Sequence, residues 1–373
     1  NKGTALTTQF WCSTSQWSDD IDDYPLQYTL AHYIIDDSNL LVLKSRDVLT
    51  YVTTVLGQGS TLRANRVTLI GIAYDIYDAS TNATLDVEVL PIQSKSFAVT
   101  LGSSLLSNAV QQSDANLVTQ ALSSSLPSIN SVDCNVPTPC VSLNRANCLF
   151  TAKTCGQCIS GFVGIPGDAN GICSSDKVGI GQLCSSNSSC ATNYCLHGIC
   201  MDGPQECPNK CNGRGICTAF DYSGRPVQSC KTLDSCYVQC SCSSGFFGRD
   251  CGILSGAFSQ LVAYRNSMCQ ALDSALNFQD VARDVILFRA QSVAQILVDP
   301  TQVDTLGIQL CANVLIRTVL LYAVQSCEET VFESLTNAFA NILQARDKLS
   351  MPLVQNITNA LNAMSFGCLT GSV

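Results

Sequence analysis

Residues 207–251 carry eight cysteines. They run Cys207-Pro-Asn-Lys-Cys211-Asn-Gly-Arg-Gly-Ile-Cys217, then Cys230 and Cys236, then Cys240-Ser-Cys242-Ser-Ser-Gly245-Phe-Phe-Gly248-Arg-Asp-Cys251. A stretch this short buries too little apolar surface to fold unaided, and crosslinks compensate by restricting the unfolded chain. Immediately upstream lies Cys184-x5-Cys190-x4-Cys195-x4-Cys200, a compact four-cysteine knot. Cys184 with Cys195 and Cys190 with Cys200 is the expected pairing there. Cys134, Cys140, Cys148, Cys155, Cys158 and Cys173 come before it. Six cysteines allow about 15 pairings, and spacing selects none of them. Eighteen of the 23 cysteines therefore fall within residues 134–251, between two sparse flanks.

This usage excludes an ordinary cytosolic enzyme, because thiols there are kept reduced. Zinc is the weaker reading of the C-x3-C and C-x-C pairs, since exported chains favour disulfides. The 46% apolar content excludes a wholly disordered chain. A formal net charge of −9 argues against nucleic acid, whose phosphates need a basic surface. Only 13% of residues are charged, which calls for glycans or neighbouring molecules over the surface. Residue 1 is Asn, with no apolar signal core after it. A mature chain or a piece of a longer one is the expectation. No apolar run approaches the ~20 residues that span a bilayer.

The N-terminal flank reads as short strands: Leu26–Tyr33 with partial alternation, Leu40–Leu43, Val48–Val55, Val67–Ile76 and Leu85–Val89. Their spacing argues for an antiparallel β-sandwich. Phe97–Leu106 is ambiguous, and Ser113–Leu126 reads as a helix with a Ser or Asp cap. The C-terminal flank has apolar residues at helical spacing along Phe258–Leu276, Val281–Val298, Leu306–Val324, Glu328–Ala345 and Val354–Met364. This pattern describes a small all-α domain.

The cysteine spacing of residues 207–251, with Gly245-Phe-Phe-Gly248 in the last loop, resembles an epidermal-growth-factor-like (EGF-like) module of the tenascin type. The resemblance implies the pairs Cys207–Cys217, Cys211–Cys240 and Cys242–Cys251. The long insert between Cys217 and Cys240 departs from the family and adds Cys230 and Cys236, which can pair with each other. The N-terminal segment Phe10-Trp11-Cys12, Trp17 through Asp23-Tyr-Pro25-Leu26-Gln-Tyr28, Thr54-Val-Leu-Gly57-Gln-Gly59 and Asp75-Ile-Tyr-Asp78 resembles a sandwich unit of the receptor-for-egg-jelly (REJ) region of polycystin-type ectodomains. Residues 143–173 and Gln291–Gln302 resemble linker and helical segments of such proteins. Protist mastigoneme proteins combine similar segments with EGF-like modules, which implies a flagellar hair.

These readings give a multidomain chain of mainly β plus α structure. A β-sandwich (REJ/Ig-like) covers 1–95 and a helical connector 96–133. Cysteine-rich knots cover 134–203, the EGF-like module 204–252 and the α-helical domain 253–373. The cysteine-rich stretch is expected to act as a stiff rod between two larger domains.

Asp19, Asp20, Asp22 and Asp23 cluster at one turn. Calcium, a hard oxygen-seeking ion, is the functional reading; a solvated turn is the preferred one, so no cofactor is expected. Asn82-Ala-Thr84, Asn187-Ser-Ser189 and Asn356-Ile-Thr358 are glycosylation sequons. Two histidines, His32 and His197, lie far apart, and no nucleophile elbow, P-loop or zinc-protease motif occurs. Catalysis is not expected.

The leading expectation is thus a secreted structural protein, without membrane span or nucleic acid, that self-associates or joins other subunits of an extracellular filament. The alternative is a polycystin-type adhesion or receptor ectodomain fragment that binds carbohydrate or protein. Four cysteines of the α domain remain for two bridges, and Cys311 with Cys327 is the expected link between consecutive helices. Cys12 is then odd, either a buried thiol or a bridge to a neighbouring chain.

Overall fold

The computed structural model describes residues 2–35, 40–136, 138–148, 151–165, 168–221, 223–231, 234–279 and 283–370. Contacts divide the chain into two compact units, residues 1–130 with 259–373, and residues 131–258. The cysteine-rich stretch is therefore an insertion within the chain of one larger unit. This corrects the expectation of a spacer between two domains.

The larger unit begins with β1 (Lys2–Thr4), β2 (Gln9–Ser13), β3 (Gln27–Tyr33), β4 (Leu41–Asp47), β5 (Tyr51–Val55), β6 (Arg66–Tyr74) and β7 (Ser80–Leu90). Helices α1 (Lys95–Gln111) and α2 (Ala115–Asn130) follow. Its C-terminal part comprises α3 (Ser255–Ala275, entered from the inserted unit), α4 (Arg283–Ile296), α5 (Thr305–Leu321), α6 (Glu329–Leu343) and α7 (Met351–Thr370). Val281, where the sequence pattern starts the second of these helices, lies outside the described residues.

Five strands form one sheet in the order β1-β7-β6-β3-β4, and β2 pairs with β5 in a second. All neighbours are antiparallel except β1 with β7. Phe10, Cys12 and Val52 of the small sheet join Leu30, Leu43, Val67, Val87 and Val89 of the large one in a single apolar cluster. In β3, consecutive residues Thr29, Leu30, Ala31 and His32 are all buried, as are Leu41–Lys44 in β4. Both strands are therefore covered on both faces, and helices α2 and α4 pack against β4. A doubly covered strand loses its apolar-polar alternation, which is why the pattern of Leu26–Tyr33 is only partial.

Residues 96–133 are largely helical, as α1 and α2, and α2 packs on β4. Ser94 caps α1 by accepting the Phe97 N–H at 3.2 Å, and Asp114 caps α2 by accepting the amides of Asn116 and Leu117. The serines of α2 face inward. Ser123 Oγ donates to the Val42 carbonyl at 2.6 Å, and Ser124 Oγ donates to Val55 at 2.5 Å. Small side chains let the helix approach the strands and satisfy their carbonyls. Gly57 permits the same closeness, since a Cβ there would sit 2.7 Å from the Pro127 ring.

The two pieces of this unit meet at Arg265 of α3, which is 1% exposed. Its Nη1 donates to the carbonyls of Gln295 and Ile296 at the end of α4, its Nη2 to Asn130 Oδ1 at the end of α2, and its Nε to Gln302 Oε1. Asn130 in turn donates to Gln295. Two bridges add to this: Cys269–Cys311 ties α3 to α5, and Cys327–Cys368 ties the turn before α6 to α7. The expected Cys311–Cys327 pair is thus corrected. Cys311 sits in the middle of α5, ~15 Å of helix before its end, and meets Cys269 with the Cα atoms 4.9 Å apart.

The inserted unit holds β8 (Cys195–Leu196), β9 (Ile199–Cys200), β10 (Gly215–Asp221), β11 (Pro226–Val227), β12 (Cys236–Cys242), β13 (Phe246–Phe247) and β14 (Ile253–Leu254). Nine bridges hold it. Cys134–Cys148 and Cys140–Cys155 interlock, and Cys158–Cys173 follows. Cys184–Cys195 and Cys190–Cys200 interlock in turn. Around the sheet β11-β10-β12 lie Cys207–Cys217, Cys211–Cys240, Cys230–Cys236 and Cys242–Cys251. The first of these segments also folds about a buried charge. Arg145 donates from Nε to Gly171, from Nη1 to Gly156 and from Nη2 to Ile165, all backbone carbonyls.

Two outcomes follow for stability. Arg265→Ala leaves buried acceptors on α2, α4 and the Gln302 turn unpaired, each costing ~1–3 kcal/mol. Urea unfolding is expected to show a loss on the order of 3 kcal/mol or more. His32 is fully buried with neither ring nitrogen hydrogen-bonded, and burial holds its pKa down at about 4 instead of 6.5. The unfolded chain therefore takes the proton first. The stability is complete above the unfolded value and is lost as pH falls towards the folded one, up to ~3 kcal/mol. His32→Leu should remove that slope when denaturation at pH 7 and pH 4.5 is compared.

Candidate functional site

The acidic turn is only partly assembled as the sequence implies. Asp19 precedes the short 3-10 turn Ile21–Asp23, and Asp75 follows the end of β6. Carboxylate oxygens of Asp19, Asp23 and Asp75 all lie within 4.8 Å of one another. Asp20 and Asp22, both exposed, are outside that group. Asp75 is nearly buried, and its Oδ1 accepts the amides of Tyr77 at 2.8 Å and Ala79 at 2.9 Å. The Ile76 amide donates to the Asp23 carbonyl, which joins the two turns. Desolvation, then the charges of Asp19, Asp20 and Asp75, push the Asp23 carboxyl above its usual range. Ile21, Tyr24, Ile76 and Tyr77 are exposed on the same two turns.

The donor set is all oxygen, as calcium prefers, but it supplies three of the six to eight ligands that ion takes. Among the described residues the arrangement is a cluster of like charges, with Asp75 held in place by backbone donors. Asp75 is the member that sequence proximity hides, since it lies one sheet strand away; the Asp75-Ile-Tyr-Asp78 strand end was its one trace.

The remaining site residues are spread widely. Asn82 lies on β7, Asn187 in a short turn and Asn356 on α7, and all three are exposed. Asn187 Oδ1 accepts the Cys195 amide at 2.8 Å, so that side chain also shapes the knot. Cys184, Cys190 and Cys200, and Cys207, Cys211 and Cys240, cluster closely enough to ligate a metal, but every one of these sulfurs is in a disulfide. His32 is sealed within β3 and His197 occupies the tight turn between β8 and β9 with φ 53°. They belong to different units. Cys12 is the one free cysteine, buried in the apolar cluster with its thiol pushed up to about 11. Of the two alternatives for Cys12, the structure has the buried thiol. Among the described residues no helix is long and apolar enough to cross a membrane.

With this geometry in view, the comparisons with known proteins give one finding. The family model of the REJ domain matches residues 1–124. The match runs from β1 through most of α2, so it includes helices that the sequence reading set apart at residue 95. No curated protein and no solved structure matches the chain. The eleven bridges and the REJ match point to an extracellular or surface location.

The acidic group has a testable sign. Asp23 binds a proton more readily in the folded chain than in the unfolded one, so its charge destabilises the fold at neutral pH. Asp23→Asn is expected to raise the melting temperature at pH 7 in chelator. The gain should shrink as pH falls through the raised folded pKa and vanish below the unfolded one. A lower melting temperature for the variant in chelator would refute the repulsion.

Proposed function

We propose that this chain is part of a polycystin-type extracellular ectodomain that serves in adhesion or reception, without catalysis of its own. The REJ match over residues 1–124 carries the reading. On it, the two β-sheets act as a sandwich-type recognition module, extended by α1 and α2. Residues 204–252 act as an EGF-like module of the tenascin type, and the ligand class is protein or carbohydrate. Secretion suits a unit whose nine bridges close within its own sequence.

The filament reading, with the mastigoneme as its example, rests on resemblance alone. The REJ match favours the receptor side of the same resemblance. Electron microscopy and sedimentation of the secreted chain at micromolar concentration separate the two. Discrete particles are expected, whereas regular fibres built from the chain would overturn the ectodomain reading.

A further inference from the structure

Strand β7 leaves much of its outer edge open. Along its inner side it pairs with β6 from Ser80 to Glu88. On the outer side β1 reaches only Glu88, Val89 and Leu90. Residues 80–86 are exposed without interruption, and among the described residues they have a ladder partner on one side only. An open edge of this length is a template for a strand of another molecule.

The usual protections are missing from it. Ser80-Thr-Asn-Ala-Thr-Leu-Asp86 contains no lysine, proline or glycine, and its register with β6 is unbroken by a bulge. Its single charge, Asp86, is occupied by Arg63 and Arg66. Leu85 is 57% exposed. The segment is also self-complementary. An antiparallel copy centred between Asn82 and Ala83 sets Thr81 against Thr84 and Ser80 against Leu85, with no like charges opposed. At the other end of the sheet, β4 is packed by α2 and α4, and Ser123 occupies the Val42 carbonyl.

In the middle of this open segment stands the sequon Asn82-Ala-Thr84. In a strand, residues two apart share a face, so Asn82 and Thr84 project together, and both are exposed. We infer that an N-linked glycan on Asn82 caps the open edge of β7 and keeps a second copy of this chain from extending the sheet. A glycan is bulky, solvated and fixed to the surface. At that position it sweeps the space an incoming strand needs. The inference rests on the extracellular reading above, since only exported chains receive such glycans.

The test uses the full chain secreted from a eukaryotic host. Glycopeptide mass spectrometry is expected to find Asn82 occupied, and light scattering to find a monomer at micromolar concentration. Native enzymatic deglycosylation, and separately Asn82→Gln and Thr84→Val, should each shift the chain to dimers or larger species. Adding Leu85→Lys to Asn82→Gln should restore the monomer. Glycan on Asn187 or Asn356 with Asn82 bare overturns the site while the extracellular reading stands. Monomers in all three deglycosylated forms overturn the capping role. A chain retained in the cell without its bridges overturns the extracellular reading and this inference together.

Discussion

The guanidinium of Arg265 is the point on which the larger unit closes. It is buried, and burial holds its pKa down at about 10, so it is still a cation at neutral pH. Carrying that charge out of water costs several kcal/mol unless its donors are used. Here they are used on backbone carbonyls at the end of α4, on Asn130 and on Gln302, with Asp299 close enough to favour the charged form. The acceptors come from parts of the sequence far apart. Asn130 is the last residue before the insertion, and α3 is the first helix after it. One side chain thus satisfies the exposed end of a helix and joins the chain on either side of an insertion of more than a hundred residues.

Arg145 solves a related problem in the inserted unit. There the three acceptors are carbonyls of irregular loops rather than helix ends. A segment with few strands and no long helix has many backbone groups without partners. A planar fork of donors is the most economical way to satisfy several at once. The apolar interior of this region is sulfur: Cys140, Cys148 and Cys155 form its buried cluster, with Val132, Val136 and Leu143 against it. Neither arginine stands out in the sequence, where Arg145 lies in an ordinary polar stretch and Arg265 in an amphipathic helix.

What was legible in the sequence was local. Helical spacing marks the C-terminal flank although α4 is buried nearly all round, and the end of β7 alternates because Val87 and Val89 are buried while Asp86 and Glu88 are not. The limits appear where burial becomes two-sided. β3 and β4 lose their alternation, and the polar run Ser123–Ser125 is buried, with Ser123 and Ser124 donating to strand carbonyls and Ser125 to Ala121 of its own helix. Cysteine pairing divides differently. Cys134–Cys148, Cys140–Cys155 and Cys158–Cys173 close loops of 14 or 15 residues, yet spacing selects none of them, because interleaved short loops are alike in closure entropy; Cys269–Cys311 and Cys327–Cys368 depend on which helices pack. The helix read over Ser113–Leu126 is α2, capped by Asp114, but serines on its inner face do not announce that it packs against a strand. The acidic group likewise drew Asp75 from a strand end that no spacing rule connects to Asp19 and Asp23.

The two units therefore meet the entropy of the chain by different means. The larger one has a continuous apolar cluster and buried helix faces, and its two bridges close loops of 42 and 41 residues. Each such loop is worth ~4 kcal/mol on a chain-entropy estimate, a supplement to a core that exists without it. The inserted unit closes loops of 6 to 29 residues. Each is worth ~2–4 kcal/mol, and the interlocked ones are not additive. Its buried clusters are made of the bridges themselves, Cys207, Cys211, Cys240 and Cys251 with Val238 and Phe246 at their edge. If those sulfurs were reduced, the bridges and the apolar interior would go together. Dependence on an oxidising environment is thus concentrated in residues 131–258, while the REJ-matched region, with its one buried thiol held at about 11, keeps a core whose chemistry is indifferent to it.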